Sequence, residues 1–155
     1  MTATGRTAAS GTGATGSASG GVFLDTSGLY ALFDADEAQH AAAAQAWEDL
    51  VHPYDSLHTN SYVLVELSAL LQRRLGVEAV DALATYVLPW VNILWIDEIL
   101  HLQAMTGLLA ARRRDLTLVD CASFASMRRL GLRRVFTLDV HFAEQGFTVL
   151  PTSVL

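Results

Sequence analysis

Short apolar runs alternate with longer amphipathic stretches along most of the chain. The short runs occupy residues 22–25, 56–59, 91–96, 134–138 and 147–150. Because strands that alternate with helices pair in parallel, this pattern predicts an α/β domain with a central, mostly parallel sheet of four to five strands flanked by helices. We expect right-handed crossovers, and ligand binding beyond the carboxyl ends of the strands.

The stretches between the predicted strands carry helix signals. Asn60 or Ser61 is a suitable N-cap for a helix that Gly76 would end, and Pro89 would stop a later helix. Another stretch has acids in its first turn and Arg in its last, which suits the helix dipole. We predict helices over residues 27–33, 37–51, 60–76, 77–88, 97–114 and 116–131.

The first 21 residues differ in composition from the rest, since they are Gly, Ser, Thr and Ala with few other residues. They contain no apolar core of a secretory signal and cannot bury enough surface to fold. We therefore expect a flexible tail over residues 1–21 and one domain over residues 22–155. No apolar run reaches the roughly 18 residues of a membrane span. The single cysteine, Cys121, excludes an intramolecular disulfide and fits a reducing cytoplasm.

The charge of the chain is acidic, with 16 acids against 10 bases and a net charge of -6. This balance argues against a protein that binds nucleic acid through a generally basic surface. Every base is Arg, which makes bidentate contacts with phosphate that Lys cannot make. For any single cluster, however, a solvated helix end is the more common explanation. The clusters are Arg73–Arg74, Arg112–Arg114, Arg128–Arg129 and Arg133–Arg134.

Four carboxylates stand in apolar surroundings. Asp25 and Asp139 follow predicted strands, which places both at the carboxyl edge of the sheet. Glu66 lies within an apolar helical run, and Asp120 lies near the start of a later helix. Taken singly, Asp25 and Asp120 are as well explained as helix caps, and Asp139 as the cap of a turn. A carboxylate inside an apolar run, such as Glu66, is costly unless it is paired, protonated or bound to metal.

A cluster of carboxylates without Lys partners repels itself and is stabilised by a hard divalent cation. Mg²⁺ and Mn²⁺ prefer oxygen ligands and leave room for a substrate phosphate. The His residues are scattered and Cys121 has no neighbouring Cys, so zinc-ligand spacing is absent from the sequence. The chemistry that best suits such a site is metal-assisted hydrolysis of a phosphodiester.

The residues around these acids resemble the PIN-domain nuclease family, and within it the VapC-like toxins of bacterial toxin–antitoxin pairs. The resemblance covers roughly residues 22–151. Each motif alone is weak, whereas all four in order at family-like spacing form a specific signal. The motifs are "VFLDTSGLYALFDADEAQHAAA", "TNSYVLVELSALLQRRLG", "LTLVDCASFASMRRLG" and "VFTLDVHFAEQGF".

The resemblance implies a ribonuclease that depends on Mg²⁺ or Mn²⁺ and hydrolyses RNA phosphodiester bonds in the cytoplasm. It also implies a homodimer held inactive by a cognate antitoxin protein. The metal or metal-water ligands would be Asp25, Glu66, Asp120 and Asp139, and the supporting polar groups would be Thr26, Asn60 and Thr137.

Other residues near these motifs are open to more than one interpretation. Asp115 is read as a helix cap, with a site role as the alternative. Val140 stands where the family often has a basic residue, so His141 either substitutes in a phosphate contact or is a surface turn histidine, which we favour slightly. The aromatic side chains Trp47, Tyr54, Tyr62, Trp90 and Trp95 exceed the needs of sheet packing, and none is assigned individually.

The RNA phosphate path is predicted to use Arg112, Arg113 and Arg114, in preference to Arg133 and Arg134, whose strand brings them in at the opposite edge. Two other functions stay open at this point. One is an RNA-processing PIN nuclease without an antitoxin, and the other is a catalytically silent PIN-like binding module. Intact acids at all four motifs argue against the second.

Overall fold

The structure is a computed structural model that describes residues 20–51 and 56–152. The predicted tail therefore lies almost entirely outside the described residues, as do Tyr54 and the last three residues of the chain. Among the helices of the described part, none combines the length and the apolar character that crossing a membrane requires.

The described residues form one parallel sheet with the strand order β3-β2-β1-β4-β5. Its central strand, β1, is completely buried and pairs on one side with β2 and on the other with β4. All neighbouring strands are parallel, which confirms the predicted α/β class. The strands are β1 (Val22–Leu24), β2 (Leu57–Asn60), β3 (Val91–Leu94), β4 (Arg134–Phe136) and β5 (Thr148–Leu150).

Seven α-helices of the described part lie against this sheet and connect its strands. They are α1 (Thr26–Phe33), α2 (His40–Leu50), α3 (Ser61–Leu75), α4 (Val77–Ala82), α5 (Glu98–Ala111), α6 (Leu118–Leu130) and α7 (His141–Glu144). The predicted cap of α3 is confirmed, because the Asn60 side chain accepts a hydrogen bond from Val63 N. Glycines in positive-φ conformations follow α3 and α6 at Gly76 and Gly131, as predicted.

The helix predicted over residues 77–88 is less regular than expected. Only Val77–Ala82 is α-helical, a π turn covers Leu83–Val87, and a 3-10 turn covers Leu88–Trp90. Pro89 lies inside the 3-10 turn and has no backbone N–H to donate, so a regular α-helical ladder cannot continue through it.

The core is built where the helices cover the sheet. Phe23, Phe136 and Phe142 are fully buried, and the ring of Trp47 lies 6.0 Å from that of Phe136. Trp90 and Trp95 are not part of this core, since their exposed fractions are 74% and 70%.

Candidate active site

Asp25 occupies the junction between the central strand and the first helix. It follows β1 directly and its Oδ2 accepts hydrogen bonds from the backbone N and the hydroxyl of Ser27, at 3.3 and 2.8 Å, so it caps α1. Gly28 permits this arrangement, because a Cβ there would meet the Phe136 carbonyl oxygen at 2.6 Å. The start of α1 is thereby held against the end of β4.

Burial and hydrogen bonding act on Asp25 in opposite directions. Burial raises its pKa from 3.8 to about 6, although the hydroxyls of Thr137 and Ser27 donate to it and favour the charged form. The Thr137 hydroxyl lies 2.7 Å from Oδ2 and is itself fully buried. The nearby Asp120 raises the pKa further. A group with these shifts lies in a dry, anionic environment.

Glu66 reaches the same edge from α3. Its Oε2 accepts a hydrogen bond of 2.6 Å from the hydroxyl of Thr26, the residue that follows Asp25. Glu66 is partly buried, but its neighbour Val65 is 71% exposed. The apolar run around Glu66 in the sequence therefore does not enclose it in the structure, since consecutive helical residues point in different directions.

Asp120 lies in the first turn of α6, where it forms a capping box with Thr117. Thr117 N donates to Asp120 Oδ2 at 2.8 Å, and Asp120 N donates to the Thr117 hydroxyl at 3.1 Å. Burial raises the pKa of Asp120, and the charges of Asp139 and Glu66 add to the shift. Capping and membership of the acidic cluster thus coexist in one residue.

Asp139 follows β4 and is in contact with His141. Its Oδ1 accepts a hydrogen bond from His141 N at 2.9 Å, and the ring Nδ1 of His141 lies 2.8 Å from the same oxygen. The ring contact does not have hydrogen-bond geometry, and Nδ1 is buried without a hydrogen-bond partner. His141 is only 9% exposed, so its interpretation as a surface turn histidine is wrong.

Asp115 holds the other side of the His141 ring. Its Oδ2 lies 3.0 Å from His141 Nε2, and this bond raises the pKa of the histidine. Arg113 contacts both carboxylate oxygens of Asp115 and also binds Glu144 Oε2 at 2.6 Å. These partners lower the pKa of Asp115, with Arg113 the larger cause. Asp115 is therefore not the predicted helix cap, a position that Thr117 occupies.

The four predicted acids line one cavity of about 660 Å³. Within the described part of the chain, no Arg lies within ion-pair distance of any of them. One oxygen each of Asp120 and Asp139 and one ring nitrogen of His141 lie within 4.8 Å of one another, close enough to share a cation. The lining residues are Asp25, Thr26, Ser27, Tyr30, Glu37, Glu66, Ala69, Leu70, Arg73, Asp115, Thr117, Asp120, Leu138 and Asp139.

The other predicted polar residues have distinct positions. Asn60 does not line the cavity; it is fully buried and donates to the hydroxyls of Ser123 and Ser126, at 3.3 and 3.1 Å, so it ties α3 to α6. Arg113 is committed to ion pairs, and neither Arg112 nor Arg114 is among the lining residues.

Arg73 is the basic residue of this cavity, and sequence reasoning treated it as a solvated helix end. It is exposed and has no hydrogen-bond or ion-pair partner among the described residues. It lies seven residues after Glu66, a spacing that puts both side chains on one face of a helix. That spacing is the sequence signal that could have placed Arg73 beside the acids.

The comparison with family models matches residues 22–147 to the PIN domain. The chain belongs to the PIN-domain family. Its similarity to one solved PIN structure extends over most of both chains. That structure is Mycobacterium tuberculosis VapC20, described as a toxin that cleaves the sarcin–ricin loop, with a TM-score of 0.73, 33% identity, and coverage of 82% of this chain and 96% of that one.

Two curated PIN relatives from the same organism add detail. The 23S rRNA-specific endonuclease VapC20 is 33% identical over 127 residues, which cover 81% of this chain and 95% of the relative. Ribonuclease VapC26 is 40% identical over 58 residues, covering 37% of this chain and 41% of the relative. The resemblance inferred from the four motifs is thereby confirmed.

Proposed function

We propose that this PIN domain is a divalent-metal-dependent endoribonuclease that acts as the toxin of a toxin–antitoxin pair. The observation that carries the proposal is the convergence of Asp25, Glu66, Asp120 and Asp139 on one cavity without an Arg partner among the described residues. Membership of the family, and relatives named as ribonucleases over the same stretch, support it.

The donor set fits a hard divalent cation. Carboxylate oxygens are the ligands that Mg²⁺ and Mn²⁺ prefer. The raised pKa values of Asp25 and Asp120 reflect burial first and repulsion between the acids second, and a bound cation would stabilise the charged forms against both. The four acids would hold it, and Mg²⁺ is the ion we propose, with Mn²⁺ as a substitute. When bound, such an ion assists attack of water on a phosphodiester and neutralises the charge that develops on the phosphate.

The protein's own contribution is to orient these carboxylates. Thr26 holds one oxygen of Glu66, and Thr137 and Ser27 hold one oxygen of Asp25. The hydroxyl donors bind Oε2 of Glu66 and Oδ2 of Asp25. The second oxygen of each carboxylate receives no hydrogen bond from these hydroxyls. Thr26 and Thr137 therefore act as the supporting polar groups of the proposed site, and Asn60 supports it by joining the helices that carry Glu66 and Asp120.

Arg73 is the phosphate contact that we propose at this site. It lines the cavity and its guanidinium is available for bidentate contact with a phosphate. Arg113 is less suited to that role, because its ion pairs with Asp115 and Glu144 would have to break first. We therefore propose a phosphate contact on α3 in place of the one that the sequence predicted at Arg112–Arg114.

The name of the curated relative suggests a substrate class. VapC20 is named for 23S rRNA, so we propose structured RNA as the substrate, with 23S rRNA as the first candidate, acting in the cytoplasm. The proposed partners are a cognate antitoxin protein and a second copy of the chain.

The test is cleavage of a panel of structured RNAs that includes 23S rRNA fragments and tRNAs. We expect a discrete cleavage product with Mg²⁺ or Mn²⁺, loss of that product with excess chelator, and recovery when the metal is restored. Cleavage that persists in chelator would overturn the metal dependence. No cleavage of any RNA by folded, metal-loaded protein would favour the silent binding module.

A further inference from the structure

We propose that His141 contributes a nitrogen ligand, through Nδ1, to the cation held by the acidic cluster. The inference rests on the proposed function, because it concerns the same cation. It adds a fifth side chain of different chemistry to the four carboxylates. Three features of the histidine support the inference: the contact of Nε2 with Asp115, the lack of a hydrogen-bond partner at Nδ1, and the distance from Nδ1 to Asp139.

The contact with Asp115 sets the tautomer of the ring. His141 Nε2 lies 3.0 Å from the Asp115 carboxylate, which can only accept a hydrogen bond, so Nε2 carries the proton. Loss of the proton on Nδ1, which ligation of a cation requires, leaves that nitrogen with a lone pair. A carboxylate that binds the remote ring nitrogen is the usual partner of a metal-ligating histidine, because it fixes the ring orientation and makes the ligand more basic.

Asp115 is itself held in place for this task. Arg113 contacts both of its oxygens, at 3.1 and 2.7 Å, and is anchored in turn by Glu144. The chain of contacts runs from α7 through Arg113 and Asp115 back to the His141 ring. These contacts commit the Arg113 guanidinium to carboxylates of the protein itself.

The isolation of Nδ1 is the second feature. This atom is buried and has no hydrogen-bond partner, and the whole residue is only 9% exposed. Such an atom is costly in a protein interior unless something compensates it. An oxygen of Asp139 lies 2.8 Å from it without forming a hydrogen bond, and a cation between the two atoms would compensate both.

The distance from Nδ1 to Asp139 is the third feature. Adjacent ligands of an octahedral ion at ligand distances of 2.0–2.1 Å lie about 3 Å apart. The separation of 2.8 Å between Nδ1 and Asp139 Oδ1 matches this edge. An Asp120 oxygen lies within 4.8 Å of both groups, so three residues surround the same point.

A nitrogen ligand has a consequence for metal preference. Imidazole suits transition metals, whereas Mg²⁺ is bound mainly through oxygen. The affinity of the site for Mn²⁺ should therefore depend on His141, while its affinity for Mg²⁺ should depend mainly on the carboxylates.

The test is pulsed electron paramagnetic resonance of the full chain loaded with Mn²⁺. We expect a nitrogen coupling to Mn²⁺ that changes frequency when histidine is labelled with ¹⁵N and disappears in His141→Gln. Calorimetry should show that this variant binds Mn²⁺ about tenfold more weakly, with a smaller loss for Mg²⁺. The single variants His40→Gln, His52→Gln, His58→Gln and His101→Gln should each keep the coupling.

The outcomes separate this inference from the proposed function. Bound Mn²⁺ without nitrogen coupling, or a coupling that survives in His141→Gln, overturns the His141 ligand and leaves the carboxylate site standing. Failure of the wild-type chain to bind Mn²⁺ overturns both. If circular dichroism shows that His141→Gln does not fold, the four other variants decide, because loss of the coupling in any one of them assigns it to that histidine and overturns the proposal.

Discussion

Three of the four predicted site carboxylates have a bonding role in their own local structure as well as a place in the cluster. Asp25 caps α1, Asp120 belongs to a capping box, and Asp139 accepts from the backbone of the turn that follows it. Capping fixes the position of one oxygen, so the cap and site interpretations of the sequence are compatible.

Asp25 should destabilise the metal-free protein. Its folded pKa of about 6 exceeds the ordinary value of 3.8, so the folded state binds its proton more tightly than the unfolded chain does. Stability is then lost as pH rises from about 4 through 6, by about 3 kcal/mol at neutral pH. We expect Asp25→Asn, unfolded by urea in chelator, to be more stable than wild type at pH 7.5.

The same comparison at lower pH provides the control for Asp25. The advantage of Asp25→Asn should shrink steadily towards pH 4, where the wild-type carboxyl is protonated in the folded state and about half protonated in the unfolded chain. An advantage that does not change with pH would show that the substitution acts through packing rather than through the charge of Asp25.

At the residue scale, the sequence predicted that four acids would lie together, as they do in one cavity, because strand ends and motif spacing are local features. It did not reveal that His141 is buried or that Arg113 is paired. Both depend on contacts between α7 and the segment before α6, which are distant along the chain. The position of Arg73 beside the acids could have been predicted, since it shares a helix with Glu66.

At the scale of elements, α3 is the helix that brings charge of both signs to the cavity. Glu66, Ala69, Leu70 and Arg73 line it, at the three- and four-residue spacings of one helical face. The π and 3-10 turns after α4 were not predicted, because hydrophobic periodicity does not distinguish them from a continuous helix.

Replacement of Arg73 should weaken RNA binding without affecting the metal site. Each phosphate contact releases a counterion, so Arg73→Gln should lower affinity and reduce the slope of log affinity against log salt by about 0.7. Fluorescence anisotropy of labelled RNA with catalytically inactive protein would measure both. Arg74→Gln is the matched control, since Arg74 does not line the cavity; equal effects in the two variants would exclude a specific role for Arg73.

Asn60 joins two helices, and its replacement should lower the free energy of unfolding. Asn60→Ala removes the cap of α3 and two contacts with α6 serines, all of them buried, and should cost about 2–3 kcal/mol of unfolding free energy. Denaturation by urea would measure the loss. Asn92→Ala, on the exposed edge strand, should cost less than about 1 kcal/mol. Equal losses would contradict the linking role.

At the scale of the whole molecule, five predicted strands and the parallel architecture are confirmed. The strand order was not predictable, since it depends on which apolar faces meet across the sheet. Because the net charge is acidic, we expect the attraction of RNA to this molecule to depend on bound metal and on individual Arg side chains rather than on a broad basic surface.

The proposed homodimer predicts a use for the exposed apolar side chains that begin after β3. Trp95, Ile99 and Leu102 are 70%, 62% and 55% exposed on and beside α5, and large exposed apolar residues often mark interfaces. Light scattering should give twice the 16.7 kDa chain mass for wild type and the single mass for Ile99→Glu. Val77→Glu, at an equally exposed position of α4, should leave the dimer intact. A wild-type monomer, or a dimer that survives Ile99→Glu, would contradict this interface.

The central claim, that acids from separate elements form one hydrolytic site, is tested most directly by RNA cleavage with Glu66→Gln. The change keeps the size of the side chain and its bond with Thr26 but removes the charge. We expect a normal circular dichroism spectrum and at least about a hundredfold loss of Mg²⁺-dependent cleavage, whereas Glu48→Gln, on exposed α2 surface, should cleave like wild type. Wild-type cleavage by well-folded Glu66→Gln protein would contradict the account.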